Sequence, residues 1–296
     1  MKIIAIGGTV GETNDLMSTV DYFNPYAVQN NCEKRNHYPR NVTHACGDKE
    51  LFCGGYDNII TGECYRLEGA HWTKKANLIN PRSSCSCVYL SNSSFWIVGG
   101  QGGYSSSEMI LDIETGNVQH SSQLPGKSFL HCMARVNKTH LFVAANFYQS
   151  GEYGGAYIVD TTNDLFEFHF IPDTNMHRYN AACGSFEDED GNIFLIVAGG
   201  ENSSGNVPST TTELYSVRDN TWITGPTLPS GFKRGGYISD EDHPLILLGG
   251  YNEMEMAMSN VLEYNFESNT FEQLPGNLIS PRVNFAASII YTEEEC

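Results

Sequence analysis

The chain has 296 residues, 40% of them hydrophobic and 18% charged, with a formal net charge of -18 and a pI of about 4.8. This is globular composition, long enough for a sizeable core or two modest domains. The acidic balance disfavours nucleic acid and anionic membrane surfaces as partners, and no apolar run approaches the roughly 20 residues of a membrane helix.

Read in chain order, the sequence opens on "MKIIAIGG", whose apolar stretch is shorter than the about 7–15 residues of a secretory signal. The expectation is a cytoplasmic protein if Met1 is the native start. Short strand-like runs closing on paired small residues then recur: "IIAIGG" at 3–8, "LFCGG" at 51–55, "FWIVGG" at 95–100, "LFVAA" at 141–145, "LIVAGG" at 195–200 and "LILLGG" at 245–250. The first small residue of each pair falls at 7, 54, 99, 144, 199 and 249, so six units of 45 to 55 residues fill the chain. Each pair leads into a polar loop and a strand ending at Phe23, Tyr65, Leu111, Val159, Tyr215 or Tyr264. Seven positions later stands a large apolar residue in five units, Trp72, Val118, Phe166, Trp222 and Phe271, whereas the first unit has Asn30. A basic residue, Arg40, Arg82, Lys127, Arg178, Arg234 or Arg282, precedes the next strand. The runs are rich in β-branched and aromatic residues and punctuated by Gly, Asn and Pro, and no long amphipathic helix is evident.

Four short strands per repeat describe a propeller blade. The Gly pairs, the "TVDYFNP" and "GECYRL" strands, the "PRSS" and "PRVN" strand starts and the Trp slots together resemble the kelch-repeat propellers. The resemblance spans the chain and implies an all-β, six-bladed propeller forming a single domain over 1–296. Because the chain starts on a Gly-pair strand and ends with the leading strand "PRVNFAASIIY", residues 281–291 are expected to pair beside residues 2–7 and close the ring. The acidic "EDEDGN" at 187–192 reads as an exposed loop.

The Gly pairs, including "GGQGGYSS" at 99–106, do not make a dinucleotide loop, because each leads into a strand and not into a helix N-terminus. Of nine cysteines, Cys87, Cys132 and Cys183 fall five positions after their basic residue, a slot filled elsewhere by Ser239 and Ala287, and are expected to be inert packed thiols. Cys53 and Cys64 would face each other across a hairpin turning at residues 58–59, which makes a disulfide the alternative to two packed thiols. That disulfide would point to an oxidising, extracellular setting for a fragment of a longer chain. The sequons at Asn41, Asn92, Asn137 and Asn202 match the about four that this Asn, Ser and Thr content gives by chance, and carry no compartment signal. No C-x-x-C, H-E-x-x-H or G-x-S-x-G occurs, so neither metal, cofactor nor catalytic residue is assigned.

The resemblance implies a protein-interaction module taking a protein or peptide at the propeller face around the central channel. Kelch adaptors that grip acidic peptides use small polar residues at the start of the third strand and Arg residues of the leading strand. Carried over, these are Thr19, Thr61, Ser107, Thr211 and Asn260, with Arg82, Arg178, Arg234 and Arg282; Arg40 and Lys127 align less well. The same Arg residues could instead tie blades together. The alternative function is an enzyme or carbohydrate-binding protein of the kelch superfamily, of oxidase or sugar-epimerase type, with a site over the channel. A ubiquitin-ligase adaptor would also need a BTB-type domain, for which six repeats leave no room in these 296 residues, so the expectation is either a fragment or a stand-alone propeller.

Overall fold

The computed structural model describes residues 1–10, 15–28, 37–103, 106–126, 128–144, 155–163, 166–201 and 207–291. Asn30, Cys32, Lys127, Ala145, Asn202 and Cys296 lie outside the described residues.

Six antiparallel sheets stand in a ring. From inner to outer strand, the second blade is Cys46–Asp48, Leu51–Cys53, Glu63–Glu68 and His71–Asn77, and the third is Ser86–Tyr89, Phe95–Val98, Ser106–Asp112 and Asn117–Gln123. The fourth is Cys132–Arg135, His140–Ala144, Ala156–Asp160 and Glu167–Ile171, and the fifth is Ala182–Glu187, Ile193–Ala198, Thr212–Ser216 and Thr221–Thr224. The sixth is Gly236–Ile238, Ile246–Leu248, Val261–Asn265 and Thr270–Gln273. The first blade joins both ends of the chain: Ala286–Ile290 is its inner strand, followed by Lys2–Ile6 and Val20–Phe23. The closing register runs from Lys2 opposite Ile290 to Ile6 opposite Ala286, so the expected closure is present.

The apolar runs are the second strands. Each is covered on both faces by a neighbouring blade, so Lys2–Ile6, Phe95–Val98 and Ile246–Leu248 are buried throughout and show no alternation. Outer strands such as His71–Asn77 alternate toward solvent. The core is accordingly six apolar clusters, one per blade junction, including Ile3 and Phe23 against Ile246 and Leu248 where the ring closes. In five blades the Trp-slot residue, Trp72, Val118, Phe166, Trp222 or Phe271, wedges the blade against the preceding one. Trp222 packs on Phe142 at 6.3 Å and donates its Nε1–H to the Pro172 carbonyl at 2.6 Å, and Phe166 meets Trp96 at 4.8 Å.

The Gly pairs are blade-to-blade junctions. Gly54 and Gly55 have φ of 68° and 104°, and the Gly55 N–H donates to the Arg82 carbonyl of the next blade at 2.8 Å. A Cβ on Gly54 would stand 2.4 Å from that carbonyl oxygen, so both the conformation and the close approach require glycine. In the fourth blade Ala144 pairs with Cys132 as Val98 pairs with Ser86. Ala144 is therefore the residue before the junction, one position away from the small-pair slot the sequence spacing gave it.

Two sequence alignments shift in the structure. The Gly-pair amides Gly7, Gly54, Gly99, Gly199 and Gly249 bond to the carbonyls of Thr19, Glu63, Ser106, Thr211 and Asn260, so Thr61 and Ser107 stand two and one positions off the predicted third-strand ring. Positive φ at His44, Ser84, Leu130, Asn180, Arg234 and Asn284 fixes the register of the lead-ins to the inner strands. It places Phe232, not Arg234, level with Arg82, Arg178 and Arg282. By the same register Val42 and Ser128 fill that slot in the second and fourth blades.

Cys53 and Cys64 are directly opposed and disulfide-bonded, with Cα atoms 4.1 Å apart, across the hairpin that turns at Asn58. The expectation of inert thiols fails for Cys132 and Cys183, which form a second disulfide with Cα atoms 5.4 Å apart. They belong to adjacent inner strands of the fourth and fifth blades. The register error hid this, because it put both residues in one slot when they occupy consecutive ones.

Candidate partner-binding face and central channel

Strand direction sorts the loops. Second strands end, third strands start, and inner strands start at one end of the ring, which we call the loop face. Bridges Thr9 to Val283, Thr43 to Tyr56, Ser83 to Gln101, Tyr179 to Glu201 and Lys233 to Tyr251 hold the loops after the Gly pairs against the lead-ins of the inner strands.

The mouth at this face is set by backbone. Six non-glycine residues with φ of 52° to 57° precede the inner strands. Their amides link neighbouring blades: His44 N–H donates to Asn284 O at 2.7 Å, Ser84 to His44 at 2.8 Å, Asn180 to Leu130 at 2.9 Å, Arg234 to Asn180 at 3.2 Å and Asn284 to Arg234 at 2.7 Å. A left-handed non-glycine residue costs about 1–2 kcal/mol, and this belt of bonds, made at five of six junctions among the described residues, offsets it. Asn is among the residues that tolerate the conformation. The Asn standing two residues after Arg in "HRYN" and "PRVN" was the signal for the belt, and sequence reasoning passed over it.

Behind the mouth lies a channel of about 1430 Å³, walled by the six inner strands. Of the nine sequence-predicted binding residues only Arg234 lines it. Arg82, Arg178 and Arg282 are fully buried and ion-paired with Glu108 at 2.6 Å, Glu213 at 2.5 Å and Asp21 at 2.5 Å. Arg82 also donates to the carbonyls of Gly99 and Ser106, while Glu108 accepts from the Ile79 and Asn80 amides. Each clamp ties a blade's lead-in to its own middle strands, so these three side chains are withdrawn from a ligand and do not join one blade to the next. Burial holds the Arg178 and Arg282 guanidiniums below their usual pKa, and raises that of Asp21 despite the Arg282 charge. The alternate blades have no such pair. Ser128 meets Tyr157 at 3.3 Å in the fourth, and Phe232 and Leu262 share an apolar cluster in the sixth.

Thr61 and Ser107 are also buried and bonded locally, Thr61 Oγ1 accepting from the Glu63 amide and Ser107 Oγ donating to the Ser122 carbonyl. Thr19, Thr211 and Asn260 are half-buried at the loop-face end of their strands. Thr19 Oγ1 accepts from Arg282 at 3.3 Å, Thr211 Oγ1 meets Ser209 at 2.8 Å, and the Asn260 side-chain oxygen has no partner.

Arg234 is not a free cation. It and Asn180 bond to Glu201, a buried carboxylate that also takes Lys233 at 2.9 Å, and Lys233 reaches out to the exposed Glu255 at 2.8 Å. All four predicted Arg residues are thus paired with carboxylates and present no free positive charge at the mouth. Burial, with the Arg234 charge beside it, holds His44 down to about 4, and burial alone does the same to His131. His131 lines the channel with both ring nitrogens unpartnered. The opposite mouth carries Asp48, Glu50, Glu187, Asp240 and Glu241. Asp188, Glu189 and Asp190 follow in an exposed turn, as the sequence indicated. Among the described residues no group of three or more His, Cys, Asp or Glu side chains is placed to hold a metal ion.

Exposed apolar side chains mark the loop face. Val10, Tyr56, Ile59, Val207, Met254 and Met256 stand on loops after the Gly pairs of the fifth, sixth, first and second blades, consecutive around the ring. Ile59 and Met254 are each 66% exposed. Arg40 bridges Asp57 and Glu63 beneath the same arc.

No family model matches the chain. A kelch repeat-containing protein of Dictyostelium discoideum is 25% identical over 151 residues, which are 50% of this chain and 22% of that protein. The match thus spans about a fifth of the curated relative. The solved structure of YjhT superposes with a TM-score of 0.70 at 11% identity, covering 91% of this chain and 96% of that one. That likeness concerns the fold.

Proposed function

We propose that this chain, which is a kelch-type six-bladed β-propeller, is a protein-interaction module that docks a partner on its loop face around the channel mouth. The observation that carries the reading is the arc of exposed apolar side chains on the loops of four consecutive blades. Exposed apolar area gathered on one face marks interaction surfaces, whereas scattered single residues do not. The opposite mouth carries Asp48, Glu50, Glu187, Asp240 and Glu241, and the exposed apolar residues at that end, such as Val28, Val217 and Tyr291, follow the first and fifth blades' strands and do not run through consecutive blades among the described residues. In this reading Arg234 and the half-buried Thr19, Thr211 and Asn260 supply polar contacts at the rim, Thr61, Arg178 and Arg282 brace the blades that carry the arc, and Arg82 and Ser107 brace the third blade beside it.

The test is affinity capture from the native source with the wild type, an Ile59→Asp/Met254→Asp variant and a Glu189→Lys control on the acidic face. The expected result is a partner held by the wild type and the control and lost from the loop-face variant at unchanged thermal midpoint. Capture unaffected by the loop-face variant would overturn the reading. The unpartnered ring of His131 favours a second reading, a small-molecule site inside the channel of an enzyme or carbohydrate-binding propeller. Perturbation of the His131 ring resonances on screening small sugars would support it.

A further inference from the structure

Three free cysteines gather on the channel wall where the second and third blades meet. Cys46 starts the inner strand of one, and Cys85 and Cys87 flank the start of the inner strand of the other. The Cys85 Sγ–H donates to Cys46 Sγ at 3.1 Å. Burial raises the Cys87 thiol, and Cys46 beside it draws it back down. Cys85 and Cys46 are buried, and Cys87 is half-buried.

The register relates this cluster to the disulfide between the fourth and fifth blades. Cys132 pairs with Ala144, the residue before its junction, and Cys46 pairs with Cys53, the residue before its own. Cys183 pairs with Val197 and Cys87 with Ile97, both one residue further back along the second strand. Rotation of the ring therefore carries Cys132 and Cys183 onto Cys46 and Cys87. The chain holds the same inter-blade crosslink position twice, bonded at one junction and as thiols at the other.

We propose that Cys46 and Cys87 are a reversible oxidation site that closes to an inter-blade disulfide at the channel wall, by exchange with a small-molecule disulfide admitted through the channel. The Cys87 thiolate attacks the external disulfide, forming a mixed disulfide and releasing one small thiolate. The Cys46 thiolate then attacks the Cys87 sulfur, forming the protein disulfide and releasing the second small thiolate. Two protein thiols lose two electrons and two protons, and the external disulfide is reduced to two thiols. Cys85 is a positioning residue, because its S–H bond to Cys46 favours the thiolate that makes the second attack. Burial opposes all three thiolates and pushes Cys87 up to about 12, so the exchange is slow near neutrality and accelerates with alkali. The crosslink would lie two residues from His44 and three from Ser84, whose belt bond it would reinforce, fixing that junction of the mouth.

The experiment treats the full chain with glutathione disulfide at pH 7, 8 and 9, quenches with N-ethylmaleimide, and maps peptides without reduction. The expected product joins Cys46 to Cys87, reverses on adding dithiothreitol, and forms about tenfold faster per pH unit as the thiolate fraction rises. In Cys46→Ser the glutathione adduct on Cys87 persists, and Cys85→Ser still closes, but more slowly. Should Cys46→Ser fail to fold, Cys87→Ser serves, and must leave Cys46 open to alkylation. Wild-type Cys46 and Cys87 both remaining alkylable, or Cys46 joining Cys85 in their place, would overturn the assignment.

Discussion

Replacing Arg82 with Ala separates the structural reading of the repeated Arg from the recognition reading. The guanidinium donates to the Asn80, Gly99 and Ser106 carbonyls at 3.3, 3.0 and 3.1 Å and to Glu108 at 2.6 Å, with both charged side chains fully buried. Removing it leaves the Glu108 charge buried, held by the Ile79 and Asn80 amides alone. Breaking a buried pair costs about 3–5 kcal/mol, a large part of the roughly 5–15 kcal/mol that holds a folded chain together. Arg82→Met/Glu108→Met removes both charges but leaves the two amides without their acceptor at about 1–3 kcal/mol each, so it is expected to recover only part of that loss. Guanidinium chloride unfolding followed by tryptophan fluorescence measures each step. If Arg82→Ala stays within about 1 kcal/mol of the wild type and yet releases the captured partner, the clamp argument is wrong and the side chain contacts ligand.

His44 and His131, each held at about 4, bind fewer protons folded than unfolded between that value and about 6.5. Their depressed values make stability full above about 6.5 and lost as pH falls toward 4, by on the order of 3 kcal/mol each; a pH series of unfolding midpoints in which His131→Gln leaves the slope unchanged would refute this. Glu63, drawn down to about 2 by Lys74 and then Arg40, keeps its contribution to lower pH, so Glu63→Gln is expected to cost on the order of 1 kcal/mol at pH 7 and progressively less between pH 4.5 and 2. Opening Cys132–Cys183, 51 residues apart, is expected to cost about 4 kcal/mol, and opening Cys53–Cys64, 11 apart, about 3 kcal/mol. Comparing Cys183→Ser with Cys64→Ser by denaturant unfolding checks that order. Trp222→Ala removes a blade wedge and its bond to Pro172, for about 3–5 kcal/mol in the same assay.

What the sequence disclosed was whatever repeats at a fixed spacing. The runs before the Gly pairs are uniformly apolar because both faces of every second strand are covered, so six of them announce six blades. Cys53 and Cys64 were legible because a hairpin relates them locally. The lead-in register was not, because "FKRG" offers two basic residues and the slot holds neither, but Phe232. A complementary signal would have corrected it. Asp21, Glu108 and Glu213 occur in the third strands of the blades whose lead-ins carry the buried Arg, and Tyr65, Tyr157 and Leu262 take their place in the others. The channel mouth left almost no trace, since its belt is backbone bonded to backbone and its residues share only a conformation. Cys132 and Cys183 meet across a blade junction, a relation that no local spacing encodes.

The closing sheet also determines how the ring comes apart under load. Its two joined strands run antiparallel, with Lys2 opposite Ile290 on the acidic side and Ile6 opposite Ala286 beside the loop face. Tension applied to the two ends acts at the same edge of this pair, so its hydrogen bonds are strained one after another and never all together. The circle therefore yields as a zipper, from the acidic face inward, and the loop-face mouth is the last part of that seam to open.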